Sequence, residues 1–415
     1  MEPSVGKHFR GVVIHPSLKP LIDMILLAPS RDDPKVVYAR RRMRALGTPA
    51  TAYLYASEIR GYLEEKSRIG TEPWVFPVAG DLFLDAFEAN LPIVGPNQVA
   101  DHYSGMMGCY KQGDQPTKRI EGPLYVVDLL FERTLLMFSD RFNRDAVEGG
   151  LPLSFMPPDD ADYEKRLNAV LSFADRALKD AVTASVRADR SAVPSTLLDY
   201  VGDQRGRIEK TLAAWRTFHR GPGVMSLDDE HYLERGLEVA EGAEYPPLVA
   251  VIRERLGKLH EKDSGRTHPK AYLEQSIHPL YEAGCIWLEQ ANVERESEAF
   301  DLALRRYGRG RAAFEHIRDR TSVAKVLVEQ ARAYIERGDD PQHARQDLYQ
   351  AVRLVIAHME GMPRGQLPGP SHDEVIRFLE EKGYHIEAEA YAAAVKKPSV
   401  RPESPESEDG KDTSN

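Results

Sequence analysis

Residues 323–355 read VAKVLVEQARAYIERGDDPQHARQDLYQAVRLV, and the order of small, bulky and turn-forming residues in this stretch decides the fold. Two antiparallel helices that pack closely need small residues where the backbones approach, bulky side chains to wedge between them, and a turn residue that tolerates a left-handed backbone. Ala331, Ala344 and Ala351 meet the first need, Tyr334 and Leu348 the second, and Gly338 the third. Upstream, Gly310, Phe314 and Ile317 precede Ala344, Leu348 and Ala351 by one constant interval. It equals the period of about 34 residues expected of stacked helical hairpins. The echo covers only the second helix of the pair, so the array is irregular.

Working outward, helical periodicity extends upstream from this hairpin. Leu167, Val170, Leu171, Ala174, Leu178 and Ala181 fall on one face of a helix over 161–182, and Ile208, Leu212 and Trp215 on one face over 195–219. Further helices are predicted after Ser226 and over 246–260, 270–290, 297–317, 323–337 and 341–360. The region 159–362 is therefore expected to be all α, built as stacked hairpins. Residues 361–370 (GMPRGQLPGP) read as a linker, and the segment 363–397 is taken as linker followed by a short helix pair opened by Ser371-His-Asp-Glu374. Residues 398–415, rich in Ser, Pro, Glu and Asp, lack the apolar content to fold and are expected to be disordered.

The segment 1–158 reads differently. Short apolar runs at 11–14, 135–138 and 151–153 alternate with helical patterns, which predicts an α/β head around a small parallel sheet. The chain has 415 residues and a formal net charge of −10, which argues against capture of nucleic-acid backbones by the molecule as a whole. Cys109 and Cys285 are too few and too separated for a disulfide framework or a cysteine zinc site. No signal-peptide pattern opens the chain, and Leu21–Ala28 is too short to span a bilayer. The expectation is a soluble cytoplasmic protein with no membrane association.

On these residues the segment 297–358 resembles the tetratricopeptide repeat, with one extra residue in the turn Gly338-Asp-Asp-Pro341. That resemblance implies a surface for holding a protein or peptide partner, and Lys325, Gln330 and Arg332 are its candidate contacts. The head, over about 11–156, resembles the PIN-domain nucleases, on Val12-Val-Ile-His15-Pro-Ser17, Tyr55-Ala-Ser-Glu58-Ile and Leu124–Phe142 (LYVVDLLFERTLLMFSDRF). The resemblance implies a parallel sheet whose strand ends gather carboxylates around Mg²⁺ or Mn²⁺, with Glu58, Glu121 and Asp140 as candidate catalytic and metal-binding residues. Asp101 or Asp128 could take the third place. His15 stands where that family has its first acid, and a neutral imidazole is a poor Mg²⁺ ligand, so the head is expected to be catalytically degenerate. Finally, Val375-Ile376-x-Phe378-Leu379-x3-Gly383-Tyr384-x2-Glu387-Ala388-x2-Tyr391, within 372–396, is similar to the LisH motif. It implies a homodimer through that helix pair, unless the pair caps the repeat stack.

Arg40, Arg41, Arg42 and Arg44 form a dense basic cluster that could neutralise two or three phosphates of an RNA. The plainer reading is a solvated helix end that complements the helix dipole. Asp228-Asp-Glu-His231 reads as an acidic first turn rather than a metal box. Two functions stand against each other: an adaptor that binds a protein through its helices and needs no cofactor, and a Mg²⁺- or Mn²⁺-dependent ribonuclease targeted by those helices.

Overall fold

A computed structural model describes residues 75–90, 96–140, 160–221, 223–224, 227–267, 269–338, 341–360, 372–381 and 383–396, with the isolated helical positions Pro20, Leu21, Met24, Tyr38 and Ala39 ahead of them. Among these described residues nearly all are helical and none lies in a strand. The chain divides into two compact units, Met1–Ser322 and Val323–Asn415.

The first unit contains α1 (Val75–Asn90), α2 (Pro96–Gln112), α3 (Lys118–Asp140), α4 (Asp160–Arg187), α5 (Ser195–Arg220), α6 (Asp229–Gly242), α7 (Pro246–Thr267), α8 (Pro269–Glu296) and α9 (Phe300–His316). Helices adjacent in sequence pack on one another from α3 to α9, as stacked hairpins do, and α3 also lies against α1, α2, α6, α7 and α9. At the α8–α9 crossing, a Cβ added to Gly284 would stand 2.7 Å from the Phe314 ring. The glycine thus makes room for the bulky wedge read from the sequence.

The α/β head expected over 1–158 is corrected here. Leu124–Phe138, read as a helix followed by a strand, is one continuous part of the 23-residue helix α3. The misleading sign was its apolar density: Ile120, Leu124, Val126, Val127, Leu129, Leu130, Phe131, Leu135 and Phe138 are all buried. A helix covered on most of its sides loses the 3.6-residue alternation that marks a surface helix, and a short piece of it is then indistinguishable from a buried strand. Its far end is fixed by aromatic packing: Phe138 stacks on Tyr232 at 3.5 Å, and the buried Trp215 indole N–H donates to Thr134 Oγ1 at 2.8 Å. With no sheet to gather carboxylates, the PIN resemblance has no structural basis among the described residues. The runs at 11–17 and 151–153 lie outside them.

The helix ends reuse one device. Asp114, Glu244, Glu298 and Arg318 all adopt a left-handed backbone, with φ of 47°, 58°, 58° and 61°. In each case the next residue's N–H reaches back to a carbonyl five positions earlier, as in Asp319 to Phe314 at 2.9 Å and Ala299 to Glu294 at 2.8 Å. This is the Schellman end, in which glycine usually occupies the left-handed position.

The second unit contains most of α10 (Arg320–Arg337), then α11 (Pro341–Glu360), α12 (His372–Glu381) and α13 (His385–Lys396). The chain turns at Gly338, φ 79°, and across the turn Tyr334 stacks on His343 with ring centroids 5.2 Å apart. Ala331, Ala344, Leu348 and Ala351 are all buried. Both α12 and α13 pack on α11.

All four left-handed residues are exposed, and Arg318 is chosen for the test because Glu244 pairs with Lys210 and Glu298 accepts from Thr196. A non-glycine side chain in this conformation costs about 1–2 kcal/mol, part of which glycine returns to the unfolded state as extra freedom. Arg318→Gly is therefore expected to raise unfolding stability by ~0.5–1 kcal/mol, read by urea denaturation; a loss of that size would mean the arginine holds the turn by other means.

Candidate functional site

On α3 the polar residues Lys118, Glu121, Tyr125, Asp128 and Glu132 recur at steps of three and four, which places them along one side of the helix. That side faces α9 through a continuous series of polar contacts. Lys118 Nζ lies 2.8 Å from Asp301 and 2.7 Å from Asp81. Glu121 accepts the backbone N–H of Leu302 at 2.8 Å. Arg305 stacks over the Tyr125 ring at 5.0 Å and reaches Asp85 and Glu88 of α1 at 3.1 and 3.4 Å. Arg306 Nη2 meets Asp128 at 2.7 Å, and Arg309 pairs with Glu132. Residue numbers rise together on both helices, so α3 and α9 run parallel in this seam.

The middle of the seam is sealed. Asp128, Glu294 and Arg306 are 2%, 0% and 2% exposed. Arg306 serves both carboxylates, Asp128 through Nη2 and Glu294 through Nε. Tyr245 donates its phenol to Asp128, and Tyr200 donates to Glu294 at 2.8 Å. Gln290 adds a third donor to Glu294 at 3.1 Å. Two carboxylates share one guanidinium here, so when both are ionised the cluster carries an uncompensated negative charge. Burial accordingly pushes both carboxyls up, against the opposing pull of Arg306, and Glu294 reaches about 7. At this exposure the carboxylates bond to side chains of neighbouring helices rather than to solvent.

The sequence-nominated residues fall as follows. Glu121 is buried and caps the N-terminus of α9, where the N-cap residue Ala299 offers no side-chain bond. Asp140 is the last residue of α3; at 1.5 Å rise per residue the same helix sets it about 28 Å from Glu121. His15, Glu58, Arg40, Arg41, Arg42 and Arg44 lie outside the described residues. Among the described residues no three His, Cys, Asp or Glu side chains are grouped to hold a metal ion. Asp228 caps α6 by accepting the His231 N–H at 2.9 Å, in keeping with the acidic-first-turn reading. On α10, Lys325 is exposed, and Gln330 Oε1 is buried without a partner. Arg332 lies 3.3 Å from Glu387 of α13.

Sequence reading missed the seam itself. Glu121 and Asp128 were noticed singly, as metal ligands, without Lys118, Tyr125 and Glu132, whose common spacing was the available signal. The complementary arginines in Arg305–Arg311 (RRYGRGR) were equally visible.

Removing Arg306 would leave two buried carboxylates uncompensated, which costs about 3–5 kcal/mol, so Arg306→Leu is expected to lose that much stability at pH 8. Glu294 has a folded value above its unfolded one; the stabilisation linked to its protonation is full below pH 4.5 and is lost as pH rises to about 7. Glu294→Gln keeps the acceptor without the charge. Compared with this variant, the native chain should lose up to ~3 kcal/mol between pH 4.5 and 8, read from paired denaturation curves; parallel curves across that range would refute the protonation of Glu294 in this cluster.

No family model matches the chain, and no curated protein matches it. One solved structure, a circular tandem repeat protein with novel repeat topology and enhanced subunit contact surfaces, is similar over 92% of this chain and 95% of its own, at 14% identity. Its TM-score of 0.18 is too low for the likeness to carry an argument about fold or function.

Proposed function

We propose that this chain is an adaptor or regulatory protein that binds a protein partner through its helical hairpins and does not depend on a metal. The observation that carries this reading is the fate of the charged groups. The carboxylates and arginines at the centre of the first unit are sealed and spent on one another, as in the Asp128–Arg306–Glu294 cluster, whereas α10 keeps Lys325 exposed and Arg332 only half-buried. Lys325, Glu329, Arg332 and Glu336 follow one another at steps of four, three and four, which lines them along one face of that helix. Lys325 is its exposed member at the N-terminal end. Stacked hairpins offer such faces to other chains, where the contacts need shape and charge rather than reactivity.

Among the described residues no helix is long and apolar enough to cross a membrane, which is compatible with a partner in solution. The test uses the full chain as bait. Lys325→Glu inverts a charge on the exposed face without touching a buried group, and is expected to lower partner recovery at least ~10-fold, equivalent to ~1.4 kcal/mol. Recovery should be the same with and without a divalent-metal chelator. Undiminished binding by the charge-inverted bait, or loss of binding on chelation, would defeat the proposal.

A further inference from the structure

The α10–α11 hairpin already has an occupant. Glu387 of α13 is 3% exposed, and its carboxylate sits 3.3 Å from Arg332 Nε. One turn further along α13, Tyr391 is buried, with the charge of Arg345 on α11 acting on its phenol. Tyr391 is held in turn by His372 of α12 at 2.7 Å. Leu379 and Tyr391, two of the apolar residues that a LisH-type four-helix core would use, are buried, whereas Ile376 and Phe378 are half-buried. The helix pair lies on the hairpin as a cap.

Two features make this cap separable. First, Arg332 does not depend on Glu387: Glu329 and Glu336 of its own helix lie 3.7 and 3.5 Å away, so departure of α13 leaves the guanidinium partnered, and Glu387 gains water. This is the opposite of the first unit, where losing Arg306 strands two charges. Second, α13 leaves Ile386 64% exposed beside Glu387, and Phe378 and Ile376 of α12 are only half-buried, so the cap is incompletely apolar-sealed on its outer side.

From this the geometry points to α13 as a resident pseudo-ligand. The α10–α11 face is a docking surface for a partner's amphipathic helix that presents a carboxylate and, four residues on, an aromatic side chain, as Glu387 and Tyr391 do, and the cap competes with that helix. The inference rests on the adaptor reading and adds to it the chemistry of the partner and a means of control.

The test uses full-length chains and a labelled synthetic peptide of residues 372–396 as the probe helix. The intact chain, its face filled, is expected to bind the peptide weakly. Glu387→Arg repels its own cap from Arg332 and should bind the peptide at least ~10-fold more tightly. Arg332→Glu should refuse this peptide but accept one carrying Glu387→Arg, and the double variant Arg332→Glu with Glu387→Arg should close again. Equal binding by the intact chain and Glu387→Arg would overturn the inference. Hydrogen exchange on the intact chain needs no substitution: α12 and α13 amides should exchange at least ~10-fold faster than those of α10 and α11, and a single common rate would also overturn it. Mixed Glu387→Arg and Arg332→Glu chains that dimerise without peptide would assign the face to a second copy and overturn the partner assignment. Failure of these outcomes while Lys325→Glu still lowers partner recovery would leave the adaptor reading intact.

Discussion

The first unit depends on a charged seam between two parallel helices that the sequence keeps far apart. Apolar packing alone would let α9 slide or rotate against α3, because one aliphatic surface fits another in several registers. Five successive polar contacts, from Lys118–Asp301 to Glu132–Arg309, allow only one. A slip of α9 by one turn would face Arg306 with Glu132 and leave Asp128 and Glu294 without their shared cation. The net worth of such a buried network is small when intact and its loss is large. It therefore acts mainly by excluding other arrangements, with apolar burial around Trp215 and Phe138 supplying the cohesion.

The helical half was legible because its cues are local. Small and bulky residues at Gly310, Phe314, Ala344 and Leu348, and the turn at Gly338, report contacts within a hairpin, and each is decided by a few neighbouring residues. The helix α3 was illegible for the opposite reason. Its apolar residues face partners in α1, α2, α4, α6, α7 and α9, none of which is visible from a short local window of sequence, and its polar residues point inward rather than out. A reader who assumes that carboxylates face water takes Glu121 and Asp128 for a site. Left-handed ends at Glu244, Glu298 and Arg318 escaped notice likewise, since the expected sign is glycine and the conformation here is imposed by the hydrogen bonds of the turn.

The two units use ion pairs in contrasting ways. In the first, Arg306 bonds to both Asp128 and Glu294, and all three are sealed from water. In the second, Arg332 has three carboxylates within reach, two of them on its own helix. The excess of acceptors makes the contact with Glu387 exchangeable at little electrostatic cost, while the match of Glu387 and Tyr391 to the hairpin keeps it selective. Rigidity and exchange thus come from the same residue types, separated by burial: Arg306 and its carboxylates are sealed, whereas Arg332 is partly exposed.

Arg306 and Asp128 stand 178 positions apart in the chain, and this separation matters during synthesis. At a ribosomal rate of roughly 5–20 residues per second, α3 would wait about 10–40 seconds for α9 to follow it. Throughout that interval its inward carboxylates lack the arginines of α9, while α1 and α2, and then α4, α6 and α7, become available to cover its apolar sides. The nascent chain therefore carries this acidic helix without its arginines while 178 further residues are added, and completion of the first unit is timed by the arrival of one arginine-rich turn near residue 306.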